Sequence, residues 1–305
     1  MAIATFHSHP STQYQLEKGV TPIDTTNRNT YFEYKPKDVI VLEGFLAIFE
    51  DIKLIFQMMI EEIKNLFRDK DNKNSYNNVG GGQVFFIPGL GDPGIWGQIA
   101  KRKLQKADKT FDVCVCKHQN NGNQSTKKTF TAVYELVNAY CTNNPSKPIV
   151  LAGVSLGGRM AHMIELQLRI DHPNTPVLIY AMAPAFASQF CTDMDNNAPC
   201  LTGAVLDRSL IEAFKVGSST TTSLIKNINA PLAGHVAPRT FHAVKASNDD
   251  LIDGANAFAN ITNQTGLTYQ RYVAHRCSHL GILGVAKDHM NQKIVDFLHE
   301  LNKRT

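Results

Sequence analysis

Residues 148–160 read Pro-Ile-Val-Leu-Ala-Gly-Val-Ser-Leu-Gly-Gly-Arg-Met, and this stretch decides the fold. Pro148 to Val154 is a short, nearly continuous apolar run, as a strand buried on both faces of a sheet requires. Gly153, Val154, Ser155, Leu156 and Gly157 form a GxSxG run at its end, and Ser155 to Ile170 reads as a helix. A serine on a tight strand-to-helix turn projects its hydroxyl above the sheet. Glycines on either side let the backbone turn and the helix crowd in. The helix N-terminus offers backbone N–H groups toward a developing negative charge. The plainer alternative is a glycine turn with Ser155 as the helix N-cap.

Outward from this turn, strands and helices alternate, which predicts a mainly parallel sheet with helices on both faces. Strands are expected at Gln83 to Pro88, Phe111 to Cys116, Pro176 to Met182, Thr240 to Ala246 and Tyr269 to Ala274. Helices are expected at Trp96 to Gln105, about Lys128 to Cys141, and 288–302. The alternation breaks between Pro184 and Pro238 into loops and short helices such as Asp207 to Lys215. An insertion of that length, about 185–238, reads as a cap over a pocket.

The N-terminal quarter differs. Residues 1–38 are polar and without periodicity, and read as a tail or extended arm. Over 39–70, Phe45, Phe49, Ile52, Phe56, Met59, Ile63 and Leu66 draw one stripe along a long amphipathic helix. Charges interrupt every window of the length needed to span a bilayer. The helix is therefore expected to cover the domain, to pair with a second copy as a homodimer, or to make peripheral membrane or protein contact. Its polar face carries more acids than bases, the wrong sign for an anionic lipid surface. Residues 71–82, DNKNSYNNVGGG, are a linker by composition, leaving 83–305 as the main domain.

The whole chain has 305 residues, with 31 Lys and Arg against 27 Asp and Glu, a net charge of +4. A balance so small and mixed excludes a nucleic-acid footprint. The six cysteines lack CxxC spacing, so neither a zinc site nor a disulfide scaffold is indicated, and no metal or cofactor is expected. No Sec signal peptide and no transmembrane helix is visible, which points to the cytoplasm or to export by a non-Sec route. Lys101, Arg102, Lys103, Lys106 and Lys109 cluster on one helix and read first as a solvated face. Asp193 and Asp195 suggest a cation loop, but Ala198 and Ala204 stand where an EF-hand needs glycine and glutamate.

Further chemical groups follow in order. Ile87-Pro88-Gly89-Leu90-Gly91 ends the first strand, and such a turn can aim the Leu90 N–H at the same point as the Leu156 N–H, forming an oxyanion hole. Asp249, Asp250 and Asp253 follow the strand that ends near Ala246. His279 lies beyond the last strand; His275, nearer the strand end, reads as structural.

The blocks FFIPGLGDPGIWGQ, LAGVSLGG, SNDDLID and CSHLGIL resemble the oxyanion, nucleophile, acid and histidine blocks of the α/β-hydrolase superfamily, over about Gln83 to Thr305. LAGVSLGGRMAHMIELQL is similar to the nucleophile segment of synthase thioesterase domains, and CSHLG to the histidine segment of some bacterial lipases. The resemblance implies a serine hydrolase of esters, of lipase, esterase or phospholipase type, or of thioesters. Catalytic Ser155, Asp249 and His279, the Leu90 and Leu156 oxyanion donors and an acyl ester or lipid substrate follow from it. The sequence departs from the pattern at Pro88, where a histidine is usual. Ala181, Met182 and Ala183 stand where many thioesterases carry the acid, which favours an acid near Asp249. An interaction protein on a hydrolase scaffold is the reading from a different class.

Overall fold

A computed structural model describes residues 19–23, 83–90, 95–109, 111–116, 125–197, 207–249, 251–252, 258 and 261–302. The amphipathic helix expected over 39–70 and the linker 71–82 lie outside them. The strands are β1 (Val20–Pro22), β2 (Gln83–Ile87), β3 (Asp112–Val115), β4 (Ile149–Val154), β5 (Val177–Met182), β6 (Arg239–Asn248) and β7 (Leu267–Ser278). The helices are α1 (Ile95–Ala107), α2 (Thr126–Asn143), α3 (Leu156–Asp171), α4 (Gln189–Asn197), α5 (Arg208–Phe214), α6 (Ser219–Ile228) and α7 (Ile282–Asn302).

The strands form one sheet in the order β1-β7-β6-β5-β4-β2-β3. All pairs from β3 to β7 are parallel, and only β1 runs antiparallel, against β7. The inner strands read as unbroken apolar runs because both of their faces are covered. In β2, Phe85 and Ile87 enter the layer under α2 and α3, whereas Val84 and Phe86 enter the layer under α1 and α7. Each such side chain, fully removed from water, contributes roughly 1.5–3 kcal/mol. Cys114 and Cys116 fall in the same layer, because residues two apart on a strand share a face.

Two features depart from the sequence reading. The arm read over 1–38 supplies β1, with Val20, Thr21 and Pro22 opposite Ala274, Val273 and Tyr272; a domain drawn from residue 83 onward leaves this edge strand out. Three residues are too few for a periodicity to show. Next, α7 starts at Ile282 rather than 288, since Ile282, Leu283, Ala286, Met290, Ile294 and Leu298 are all buried against the sheet. Within the insertion read as a cap, α5 and α6 bury Leu210, Phe214, Leu224 and Ile228 in the α2–α3 layer, α5 packing on α2 and α6 on α3. Asp195, within the suspected cation loop, is instead paired with Arg208 at 2.6 Å and Lys215 at 2.5 Å.

Candidate active site

Parallel strands deliver the loops that follow them to one edge of the sheet, and Ser155, Asp249 and His279 follow β4, β6 and β7. Ser155 has φ 52° and ψ −117°, a backbone state costing about 1–3 kcal/mol that only surrounding contacts can hold. A side chain at Gly157 would come within 2.0 Å of the Ile87 carbonyl oxygen, and one at Gly153 within 2.4 Å of the Gly157 carbonyl. Glycine at both positions lets α3 leave the sheet at this close approach. The Ser155 N–H donates to the Met182 carbonyl at 2.9 Å, and the Ser155 carbonyl accepts from the N–H groups of Ala185 at 3.1 Å and Arg159 at 3.2 Å.

The N-cap alternative for Ser155 fails on its geometry. Ser125, at the start of α2, accepts the Lys128 N–H on its hydroxyl, whereas the Ser155 hydroxyl makes no capping bond to α3. Leu156 is the first residue of α3 and is buried, so its N–H belongs to the helix terminus that has no intrahelical acceptor. The turn 88–90 lies directly against this point: a side chain on Gly89 would sit 3.0 Å from the Val154 carbonyl oxygen and 3.3 Å from Cβ of Ser155.

Asp249 closes β6 with a turn of its own making. Its Oδ1 accepts the N–H groups of Leu251 at 3.0 Å and Ile252 at 2.8 Å, the local bonding aspartate is suited to. Its Oδ2 accepts from Nδ1 of His279 at 2.8 Å. The pair is nearly buried, with side-chain exposures of 10% for His279 and 2% for Asp249. Of the two aliphatics after the acid, only Ile252 is buried; Leu251 is 38% exposed, as are Leu90 at 37% and Leu280 at 53%. The aliphatic anchor of the acid loop is therefore one residue rather than two. Asp250 and Asp253 lie outside the described residues.

His275 is engaged elsewhere. Its Nε2 lies 2.7 Å from Oγ1 of Thr21, and its N–H donates to the Gly19 carbonyl at 2.9 Å, so it fastens β1 to β7. Cys191 carries a free thiol; Cys200 is not among the described residues. No group of three His, Cys, Asp or Glu side chains suited to a metal ion occurs among the described residues, and no described helix is long and apolar enough to cross a membrane. Lys103 approaches Asp288 at 4.0 Å on an exposed surface.

The sequence reading missed Arg159 and the segment it binds. Arg159 is 1% exposed, one helical turn beyond Ser155. Its Nη1 donates to the Phe186 carbonyl at 2.6 Å, Thr221 Oγ1 at 3.0 Å and the Ala213 carbonyl at 3.1 Å, and lies 3.4 Å from the Ala185 carbonyl. Burial lowers its pKa to about 10, which leaves it charged at neutral pH. A cation inside LGGRMAHMI, a run otherwise small or apolar except for His162, is the signal that was available.

No protein-family profile matches the chain, and no curated protein matches it in sequence. Solved structures do resemble it. The HSL homologue EstE7 from a metagenome library aligns with TM-score 0.54 and 15% identity over 88% of this chain and 99% of its own. A structure from the study of LipS and LipT, two metagenome-derived lipolytic enzymes, aligns with TM-score 0.52 and 10% identity over 74% and 96%. An arylesterase aligns with TM-score 0.50 and 14% identity over 75% and 77%. With a parallel sheet, a serine on the turn after β4, and acid and histidine loops after β6 and β7, the chain has the α/β-hydrolase fold.

Proposed function

We propose that the protein is a serine hydrolase cleaving carboxylic esters through an acyl-enzyme on Ser155. The observation that carries this reading is the 2.8 Å bond between Asp249 and His279, two residues 30 apart on separate loops, at the sheet edge where Ser155 is held at φ 52°. A scaffold with no chemistry to perform has no use for a strained serine and a buried acid–imidazole pair on loops at the same sheet edge.

Asp249 holds Nδ1 of His279, so Nε2 is the nitrogen left to act as base. It takes the proton from Ser155 Oγ as that oxygen attacks the ester carbonyl, and returns it to the leaving alkoxide. Water activated by the same nitrogen then releases the acid. The N–H groups of Leu156 and Leu90 stabilise the oxyanion, each pre-aimed donor being worth about 3–4 kcal/mol in such sites. The exposed side chains of Leu90, Leu251 and Leu280 suit an apolar acyl group or a lipid substrate, and the lipolytic and esterase neighbours support the same class.

Fluorophosphonate labelling tests the reading: the parent protein should label and hydrolyse p-nitrophenyl esters, and Ser155→Ala should do neither. Equal labelling of both would overturn it. Acyl esters of graded length, run beside the matching thioesters, separate an esterase from an acyl thioesterase. Binding of a partner protein without any labelling would mark a non-catalytic scaffold.

A further inference from the structure

Residues 185–188 form a short strap at the base of the insertion, and it touches both halves of the candidate site. At one end the Ala185 N–H donates to the Ser155 carbonyl at 3.1 Å. At the other, the Ser188 hydroxyl, 2.8 Å from the Leu251 carbonyl, donates to it, and the N–H of Leu251 is itself held by Asp249. The strap therefore runs from the nucleophile turn after β4 to the acid loop after β6.

Arg159 grips the strap in its middle. Its Nη1 reaches the carbonyls of Ala185 and Phe186, and beyond them Ala213 on α5 and Thr221 on α6. The hydroxyl of Thr221 lies 2.7 Å from the same Phe186 carbonyl. The Arg159 N–H donates to the Ser155 carbonyl, which closes a ring of bonds: Ser155 to Ala185, Ala185 to the Arg159 side chain, and the Arg159 backbone back to Ser155. No carboxylate pairs with this buried guanidinium among the described residues. A buried cation left without an acid is costly unless carbonyl dipoles surround it. Phe214 adds its ring, with the guanidinium carbon 5.8 Å from the centroid.

We propose that Arg159 is a positioning residue: by clamping the strap 185–188, it fixes the nucleophile turn at Ser155 relative to the Asp249–His279 pair. This rests on the catalytic reading above only for its effect on turnover; the clamp itself is a statement about the strap. The contacts with the strap are all made by Nη1; lysine supplies the charge on a shorter side chain with a different donor geometry, so it replaces arginine only in part.

The test uses the full chain with Arg159→Met and Arg159→Lys, read by amide hydrogen exchange and by the rates of fluorophosphonate inactivation and p-nitrophenyl acetate hydrolysis, well below the unfolding temperature. Arg159→Met should accelerate exchange at the Ala185 and Leu251 amides at least tenfold. It should lower inactivation rate and kcat about 10- to 100-fold with KM within about threefold, as misplacement of a reacting group does, and Arg159→Lys should recover part of each. Unchanged protection at Ala185, or lost protection with parental inactivation and kcat, would overturn the proposal. If Arg159→Met does not fold, Ser188→Ala removes the strap's other anchor and carries the same readouts. Should the parent protein fail to label at Ser155, the catalytic reading falls while the exchange arm still decides the clamp.

Discussion

Two histidine settings in this molecule use similar bonds to opposite ends. At the sheet edge, His279 bonds a carboxylate, Asp249. Under α7, His289 Nδ1 lies 2.7 Å from the Tyr180 hydroxyl, and His242 Nδ1 lies 3.1 Å from the Tyr272 hydroxyl. The rings of His289 and Tyr272 meet edge to face at 4.5 Å. Burial pushes the pKa of His242 down to about 3 and that of His289 to about 4, with Lys293 reinforcing both. Both are therefore neutral, His242 buried and His289 partly buried beside it. A phenol supplies a hydrogen bond but no counter-charge, so it can hold a neutral imidazole and cannot stabilise an imidazolium; a carboxylate does both. The partner separates a structural histidine from a candidate base.

The sharpest break between the two settings comes from exchanging their fates. His279→Gln should lower ester turnover by about 10⁴-fold or more while leaving the urea midpoint close to parental; His242→Phe should do the reverse. A His242→Phe protein that loses turnover at parental stability would erase the distinction.

Next in size is the acid. Asp249→Asn should cost about 10⁴ in turnover, because the wrong tautomer of His279 is then favoured. Asp250→Asn and Asp253→Asn, compared at matched folded concentration, should stay near parental. A large loss at Asp250 with a near-parental Asp249→Asn would show that the acid loop reads one residue out of register.

The buried histidines also set how the protein responds to acid. His162 joins them, its Nδ1 against the Gly158 carbonyl at 2.8 Å and its pKa lowered by burial to about 4. Below about pH 6.5 the unfolded chain protonates these imidazoles and the folded one does not, so the unfolded state binds more protons and stability falls as pH drops. The loss should run from about pH 6.5 down to the folded values near 4 and 3, at about 1.4 kcal/mol per pH unit for each fully buried group. Urea unfolding across that range measures it, and a midpoint flat from pH 7 to 4.5 would refute it; His242→Phe should flatten the slope.

Smallest is Tyr180→Phe, which strips one buried hydrogen bond from His289 and should cost about 1–3 kcal/mol with turnover unchanged within twofold. Removing residues 1–70 is a further test. It takes away the apolar stripe of Phe45 to Leu66 and β1 with it, so the freed edge of β7 should lower stability and promote association.

The local pattern of the chain was enough for the order of elements and for the turn at Ser155. A continuous apolar run followed by Gly-x-Ser-x-Gly and helical spacing can be satisfied in few ways, since side-chain period and glycine freedom are properties of neighbouring residues. The same locality placed Leu156 at a helix terminus and left three acids as candidates after β6. Which acid meets His279 was not local: Asp249 reaches it because β6 and β7 stay paired through a register shift after Ala246 that brings Ser278 opposite Asn248. Nor was β1, which three residues of a polar arm form only because β7 offers a free edge and Thr21 finds His275 across 254 positions of sequence. Arg159 could be seen as a cation in the mostly apolar first turns of α3, but its four acceptors come from segments 26 to 62 residues away. A buried charge is defined by what surrounds it, and only the packed chain determines those surroundings.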